Sequence, residues 1–200
     1  MSDIFDYLKW RGDLSFEADP FNDVDNLVLA ELSYTCFDGL VSDSGEEVPL
    51  TSVRESFFLT RDRDALMKSD DHMDRAPLLM DGMVSGDRYR CTMLSDYINI
   101  VDTEKDLQIS AVVFHLSDGS AYIAFRGTDN TVTGWKEDFN MSYMPETPGQ
   151  RMAKEYLQRV ASRIRKPLRV GGHSKGGNFA VYSSAFADPD IKRPHPADLH

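Results

Sequence analysis

The sequence predicts an α/β fold, a mixed sheet with flanking helices, and three stretches carry that prediction. Residues 109–116 (ISAVVFHL) and 120–126 (SAYIAFR) are apolar, β-branched and aromatic. The Ser117-Asp118-Gly119 turn between them makes a hairpin the natural arrangement. Residues 149–165 place Met152, Tyr156, Val160 and Ile164 at four-residue steps, with Ala153, Leu157 and Ala161 alongside, so that a helix there has one broad apolar face. Residues 168–172 form a short strand after Pro167 that runs into Gly172-His173-Ser174-Lys175-Gly176-Gly177. The run that follows, 178–187 (NFAVYSSAFA), is small and apolar without a breaker, as suits a helix buried against a sheet.

The elements before the hairpin are read in chain order. Asp25 and Asn26 are placed to cap a helix carrying Leu27, Val28, Ala30, Glu31 and Tyr34. Residues 51–68 (TSVRESFFLTRDRDALMK) read as one further helical stretch. Residues 69–86 are polar, rich in methionine and interrupted by Pro77 and two glycines, and read as a loop. Two hundred residues suit one domain, mainly helical over 1–105, with the hairpin, crossover helix and serine turn in 106–200. No repeat or low-complexity tract is present.

The G-x-S-x-G run between strand and helix has the pattern of a nucleophile elbow, a tight turn that lifts a serine hydroxyl clear of the backbone. Gly172 and Gly176 leave room for a strained serine backbone and for close approach of helix to strand. A phosphate loop is excluded by the order Ser174-Lys175 and by the glycine spacing. The Lys175 side chain is expected in solvent. Acyl transfer needs two N–H donors aimed at the developing oxyanion. One comes from the residue after the nucleophile, Lys175, and Gly127-Thr128 after the second hairpin strand is placed to supply the other.

Ala124-Phe125-Arg126-Gly127-Thr128, the downstream Trp135-x-x-Asp138 and Gly172-His173-Ser174-x-Gly176-Gly177 resemble the class 3 lipase pattern of the α/β-hydrolases. More closely, the chain is similar to the bacterial Mbeg-like family of lipase-like proteins. That likeness runs from residues 6–13 (DYLKWRGD) and 20–25 (PFNDVD) through Asn178 to about Asp188-Pro189. The resemblance implies the first half of an α/β-hydrolase fold, with Ser174 as nucleophile and Thr128 and Lys175 as oxyanion donors. Gly172, His173, Gly176 and Gly177 match its elbow. It also implies an acid and a histidine after the serine in chain order.

The chain departs from the family there, since residues 191–200 (IKRPHPADLH) do not look like the family's continuation. A truncation or an altered reading frame is the expectation. A helix over 176–187 would carry Asp188 and Asp190 roughly 18–20 Å from Ser174, too far to orient a histidine beside it. Nothing in a proline-interrupted tail would hold His195 or His200 within hydrogen-bonding reach. His173 is expected to serve the turn, His115 to be a satisfied strand histidine, and His72 to be solvated. Asp138 is read as a brace for the Gly127-Thr128 loop. Two function classes follow: an acyl-ester hydrolase acting through Ser174, or a non-catalytic fragment or interaction module that keeps the elbow as architecture. For these 200 residues, inactivity is expected.

Composition narrows the partners. A hydrophobic share of 41% supports a packed core. A net charge of −11 disfavours nucleic acid and anionic membrane surfaces; the substrate that the resemblance implies, if the chain is active, is a small acyl ester or lipid. Cys36 and Cys91 have no zinc or redox spacing and are read as buried thiols, and no metal or other cofactor is expected. The opening MSDIFDYLKW has neither the basic nor the apolar region of a secretory signal, and no run is long enough to span a bilayer, so the cytoplasm is the expected compartment. Without further strands the serine strand would be an exposed apolar edge, which predicts marginal stability and self-association.

Overall fold

The computed structural model describes residues 2–191. The chain begins with helices α1 (Ile4–Arg11) and α2 (Asp23–Leu32), followed by a two-residue strand β1 (Val48–Pro49) and helix α3 (Leu50–Thr60). Next come α4 (Arg63–Lys68), α5 (His72–Arg75), a 3-10 turn (Ala76–Leu78) and α6 (Leu79–Ser85). Strands β2 (Met93–Asp102), β3 (Leu107–His115) and β4 (Ala121–Phe125) form a meander. Helices α7 (Val132–Asn140) and α8 (Pro148–Arg163) then cross over to β5 (Leu168–Gly172), which leads into α9 (Lys175–Ala185). Among the described residues the sheet order is β1-β2-β3-β4-β5, antiparallel except for the parallel β4–β5 pair. The fold is thus α/β, a mixed sheet with helices on both faces.

The hairpin and the crossover helix lie where the sequence puts them. β3 is buried along its whole length, which is why residues 107–115 read as a near-continuous apolar run. Side chains alternate across it: Val112 and Phe114 face the N-terminal helices with Leu29, Leu32, Leu79 and Met80, whereas Ala111 and Val113 face Tyr156, Leu157, Val160 and Phe179. A parallel strand cannot follow through a tight turn, so α7 and α8 make the crossover. Thr147 and Gln150 cap α8 reciprocally, and Pro148 opens it where a missing N–H is harmless.

The N-terminal half corrects several expectations. Residues 69–86 are not a loop: α5, the 3-10 turn and α6 occupy them, and Leu79, Met80 and Met83 are fully buried. Pro77 starts a helical turn instead of breaking one. Gly82 lets α1 come close, for a Cβ there would stand 3.1 Å from Leu8. The stretch 51–68 is two helices, because Arg61 is extended and Asp62 caps α4 by accepting from the N–H of Asp64 at 2.9 Å. The cap of α2 is Asn22, not Asp25 or Asn26. Asp25 stands three residues into that helix, and its carboxylate accepts from Asn22 N–H at 2.9 Å, Arg88 Nε at 2.7 Å and Tyr89 Oη at 2.5 Å.

Strands β1 and β2 went unforeseen, since Ser95, Asp96 and Asn99 break the apolar pattern of β2 at a bulge where Asp96 has φ 58°. Cys36 and Cys91 are exposed, not buried: Cys36 lies in an irregular segment, Cys91 in a turn, and Cys36 Sγ donates to Asp38 Oδ2 at 3.0 Å. β5 stands at the sheet edge, partly covered along Leu168, Arg169 and Val170. Among the described residues no helix is long and apolar enough to cross a membrane.

Candidate functional site

The turn from β5 to α9 holds Ser174 at φ 54° and ψ −120°, a conformation that residues with a Cβ rarely adopt. Holding it costs on the order of 1–3 kcal/mol, which the surrounding packing must offset. Gly176 N–H donates to the His173 carbonyl at 2.9 Å and Gly177 N–H to the Ser174 carbonyl at 3.0 Å, closing the turn. A Cβ on Gly172 would stand 2.5 Å from the Gly176 carbonyl carbon, and one on Gly176 would collide with the Phe125 carbonyl. The two glycines therefore let strand, helix and the end of β4 meet. Gly177 is less constrained, with 3.2 Å between a Cβ there and the Gly172 carbonyl oxygen. Ser174 itself is exposed.

The loop after β4 lies against this turn. A Cβ on Gly127 would approach the His173 carbonyl oxygen to 2.7 Å and overlap the Tyr34 hydroxyl, so Gly127 packs backbone to backbone against the residue before the serine. Thr128 Oγ1 donates to Asp138 Oδ2 at 2.5 Å, which ties the loop to α7. The backbone N–H groups of Thr128 and Lys175 have no acceptor among the described residues. Lys175 is the first residue of α9, where the helix leaves its N–H groups unsatisfied.

The Lys175 side chain overturns the expectation of a solvated lysine. It is fully buried: Nζ donates to the Gln108 carbonyl at 2.8 Å, to Gln108 Oε1, and to Glu137 Oε2 at 3.1 Å. Glu137 also accepts from Gln108 N–H at 2.9 Å and, through Oε1, from Gly149 N–H at 2.8 Å. One carboxylate thus joins α7, the start of β3, the first turn of α8 and the first turn of α9. Burial lowers the pKa of the Lys175 ammonium, and the Glu137 carboxylate opposes that shift.

The described histidines fall into three positions. His173 Nδ1 bonds the Tyr34 hydroxyl at 2.9 Å, consistent with a role in the turn. Burial raises the Tyr34 pKa to about 12, so its hydroxyl is neutral at pH 7 and can serve as either partner of that nitrogen. His115 is buried in β3, with Nε2 at 2.8 Å from Ser95 Oγ. His72 is exposed, as expected, and in addition its Nδ1 bonds Glu31 Oε1 at 2.7 Å and its ring meets the Tyr34 and His173 rings edge-on at 5.2 and 5.7 Å. No histidine ring among the described residues is hydrogen-bonded to Ser174 Oγ. His195 and His200 lie outside the described residues. Asp188 and Asp190 follow the far end of α9, away from the serine. No cluster of metal-ligating side chains is present among the described residues.

Sequence reasoning missed Tyr34, Glu31 and Glu137. The signal for Glu137 was its place in the Trp135-Lys136-Glu137-Asp138 run, next to the Asp138 that braces Thr128. Tyr34 and Glu31 carried none, because their partners lie far along the chain.

Fold and site together define an α/β protein that presents an exposed, strained serine between a parallel edge strand and a helix. The Mbeg1-like family model matches residues 83–195, more than half of the chain, and the chain belongs to that family. No curated protein and no solved structure matches it.

Proposed function

We propose that the chain is a lipase- or esterase-like serine hydrolase of the α/β-hydrolase superfamily, akin to the class 3 lipases, acting on acyl esters. The observation that carries this reading is the exposed Ser174 at φ 54° and ψ −120°, at the head of α9. Strain of this kind clusters at reactive residues, because it aims a side chain that a relaxed turn would bury. Ser174 Oγ attacks the acyl carbonyl. The N–H groups of Lys175 and Thr128, which have no acceptor among the described residues, take the oxyanion. The buried Lys175–Glu137 pair fixes the first turn of α9, and Asp138 fixes the Thr128 loop. In this reading the base and acid that activate the serine lie outside the described residues or on a partner chain.

The second reading, a non-catalytic fragment or interaction module that keeps the turn as architecture, is favoured by the lack of a histidine bonded to Ser174 Oγ among the described residues. Fluorophosphonate labelling of the purified chain, with Ser174→Ala as control, separates the two. Labelling lost in the alanine variant supports the hydrolase; folded protein that takes no label supports the module. As a partner we propose a second copy of the chain, paired along the outer edge of β5. A monomeric sedimentation profile with a cooperative melt would overturn that pairing.

A further inference from the structure

Between α1 and the segment from α5 to α6 lies a cavity of about 160 Å³. Its interior is hydrocarbon: Ala76 and Leu79 are fully buried, and Ile4 and Phe5 are half-buried. Polar groups stand around it, and its acidic ones are already engaged. Asp3 caps α1 by accepting from the Phe5 and Asp6 N–H groups at 3.0 and 3.1 Å, and Glu31 holds His72 Nδ1 at 2.7 Å. Arg75 packs its guanidinium 5.4 Å from the Phe5 ring centre. The lining therefore suits an uncharged hydrocarbon group better than an ion.

The cavity adjoins the serine turn through one side chain. His72 lines the cavity, and the same ring meets His173, the residue before Ser174, at 5.7 Å. Glu31 holds that imidazole in place, so His72, though open to solvent on one side, forms a wall shared by the cavity and the serine turn. Volume sets the size of the occupant: an apolar protein cavity of about 150 Å³ accommodates benzene, a six-carbon ring.

We propose that this cavity is the acyl pocket of the Ser174 site and takes an uncharged acyl group of about six carbons, straight-chain or aromatic. The proposal rests on the hydrolase reading of Ser174 and adds to it a substrate class and the residues that select it. Ala76 and Leu79 set the depth of the pocket, and Ile4 and Phe5 its wall.

Two measurements test the pocket separately from the chemistry. The first titrates 1-hexanol and benzyl alcohol into Ser174→Ala protein while following the methyl resonances of Ile4 and Leu79. Saturable shifts at both methyls, lost in Ala76→Leu, are expected; no shift at either overturns the pocket. The second compares hydrolysis of p-nitrophenyl acetate, hexanoate, benzoate and dodecanoate. Preference for hexanoate over acetate of about tenfold in kcat/KM is expected. That ratio falls toward one in Ala76→Leu, and Phe5→Ala moves the optimum to longer chains. Turnover with the same chain-length profile in all three proteins overturns the pocket and leaves the hydrolase reading standing. Methyl shifts without any ester turnover leave a six-carbon binding site but overturn its assignment as an acyl pocket, together with the hydrolase reading on which it rests.

Discussion

On the N-terminal face of the sheet Asp25 meets Arg88, and on the opposite face Glu137 meets Lys175; both pairs are fully buried. Burying such ions is costly, and each pair meets the cost with further hydrogen bonds. Arg88 also donates to the carbonyls of Leu14, Asp19 and Pro20, at 3.1, 2.9 and 3.4 Å, so it staples the segment between α1 and α2 to the turn after α6. Its guanidinium lies 4.3 Å from the Phe16 ring centre. Lys175 makes fewer contacts, but its backbone N–H is a donor beside the serine with no acceptor among the described residues. Gln108, which receives Lys175, keeps an Nε2 with no partner among the described residues. One pair holds the helical layer together, and the other ties the serine turn to the sheet.

The largest expected effect comes from removing the more heavily bonded cation. Arg88→Leu leaves the Asp25 carboxylate its Asn22 N–H and Tyr89 Oη donors but no cation, and takes the donor from three carbonyls as well; urea denaturation should show a loss of about 5 kcal/mol, the upper end for a broken buried pair. Lys175→Met leaves Glu137 with its two backbone donors, Gln108 N–H and Gly149 N–H, so the loss should be nearer 3 kcal/mol by the same assay. Fluorophosphonate labelling of Ser174 should fall in Lys175→Met beyond what the unfolded fraction explains, because α9 has lost its anchor. Equal losses in the two variants would erase the distinction between staple and anchor.

A smaller effect is expected from Tyr34→Phe, which removes the bond to His173 Nδ1 and should cost about 1 kcal/mol in a thermal melt. The same variant should slow labelling, since Tyr34 sits between Gly127 and His173.

The pH dependence of stability separates the pairs most gently. Burial raises the Asp25 pKa, but the bonds from Arg88 and Tyr89 outweigh it and hold the carboxyl below its ordinary 3.8. Its contribution is therefore full above about pH 4 and is lost as pH falls through the lower folded value. Lys175 is lowered from its ordinary 10.5, so between its folded value and 10.5 the unfolded chain binds more protons, and stability rises with pH across that window. Acid melts of Arg88→Leu and alkaline melts of Lys175→Met, set against the parent, should each flatten one limb. A parent profile that is flat at both ends would contradict both assignments.

Legibility in the sequence followed the range of the interactions. The β3–β4 hairpin, α8 and the β5–α9 turn announce themselves through local pattern: an apolar run around a Ser-Asp-Gly turn, a four-residue period, and glycines flanking a serine. The helices over 72–85 did not, because Pro77 and Gly82 look like breakers until α1 is seen packed against Gly82. Strand β2 hid behind its bulge at Ser95. At the site, Ser174 and the Thr128–Asp138 brace were legible because a short motif holds them. The burial of Lys175 was not, since Gln108 and Glu137 lie 67 and 38 residues away. The reading of Cys36 and Cys91 as buried failed because residue type says little about burial outside helices and strands.

The parallel pairing of β5 with β4 also orders the assembly of the molecule. β2, β3 and β4 are joined by short turns and form contacts between near neighbours in sequence. β5 can dock only after residues 126–167 have been closed into a loop, which carries the larger entropic cost. The serine turn is therefore expected to form late, after the meander. A chain stalled halfway would possess a hairpin sheet without the turn that exposes Ser174, so a mutation that delays the crossover would unmake that turn without touching any residue in it.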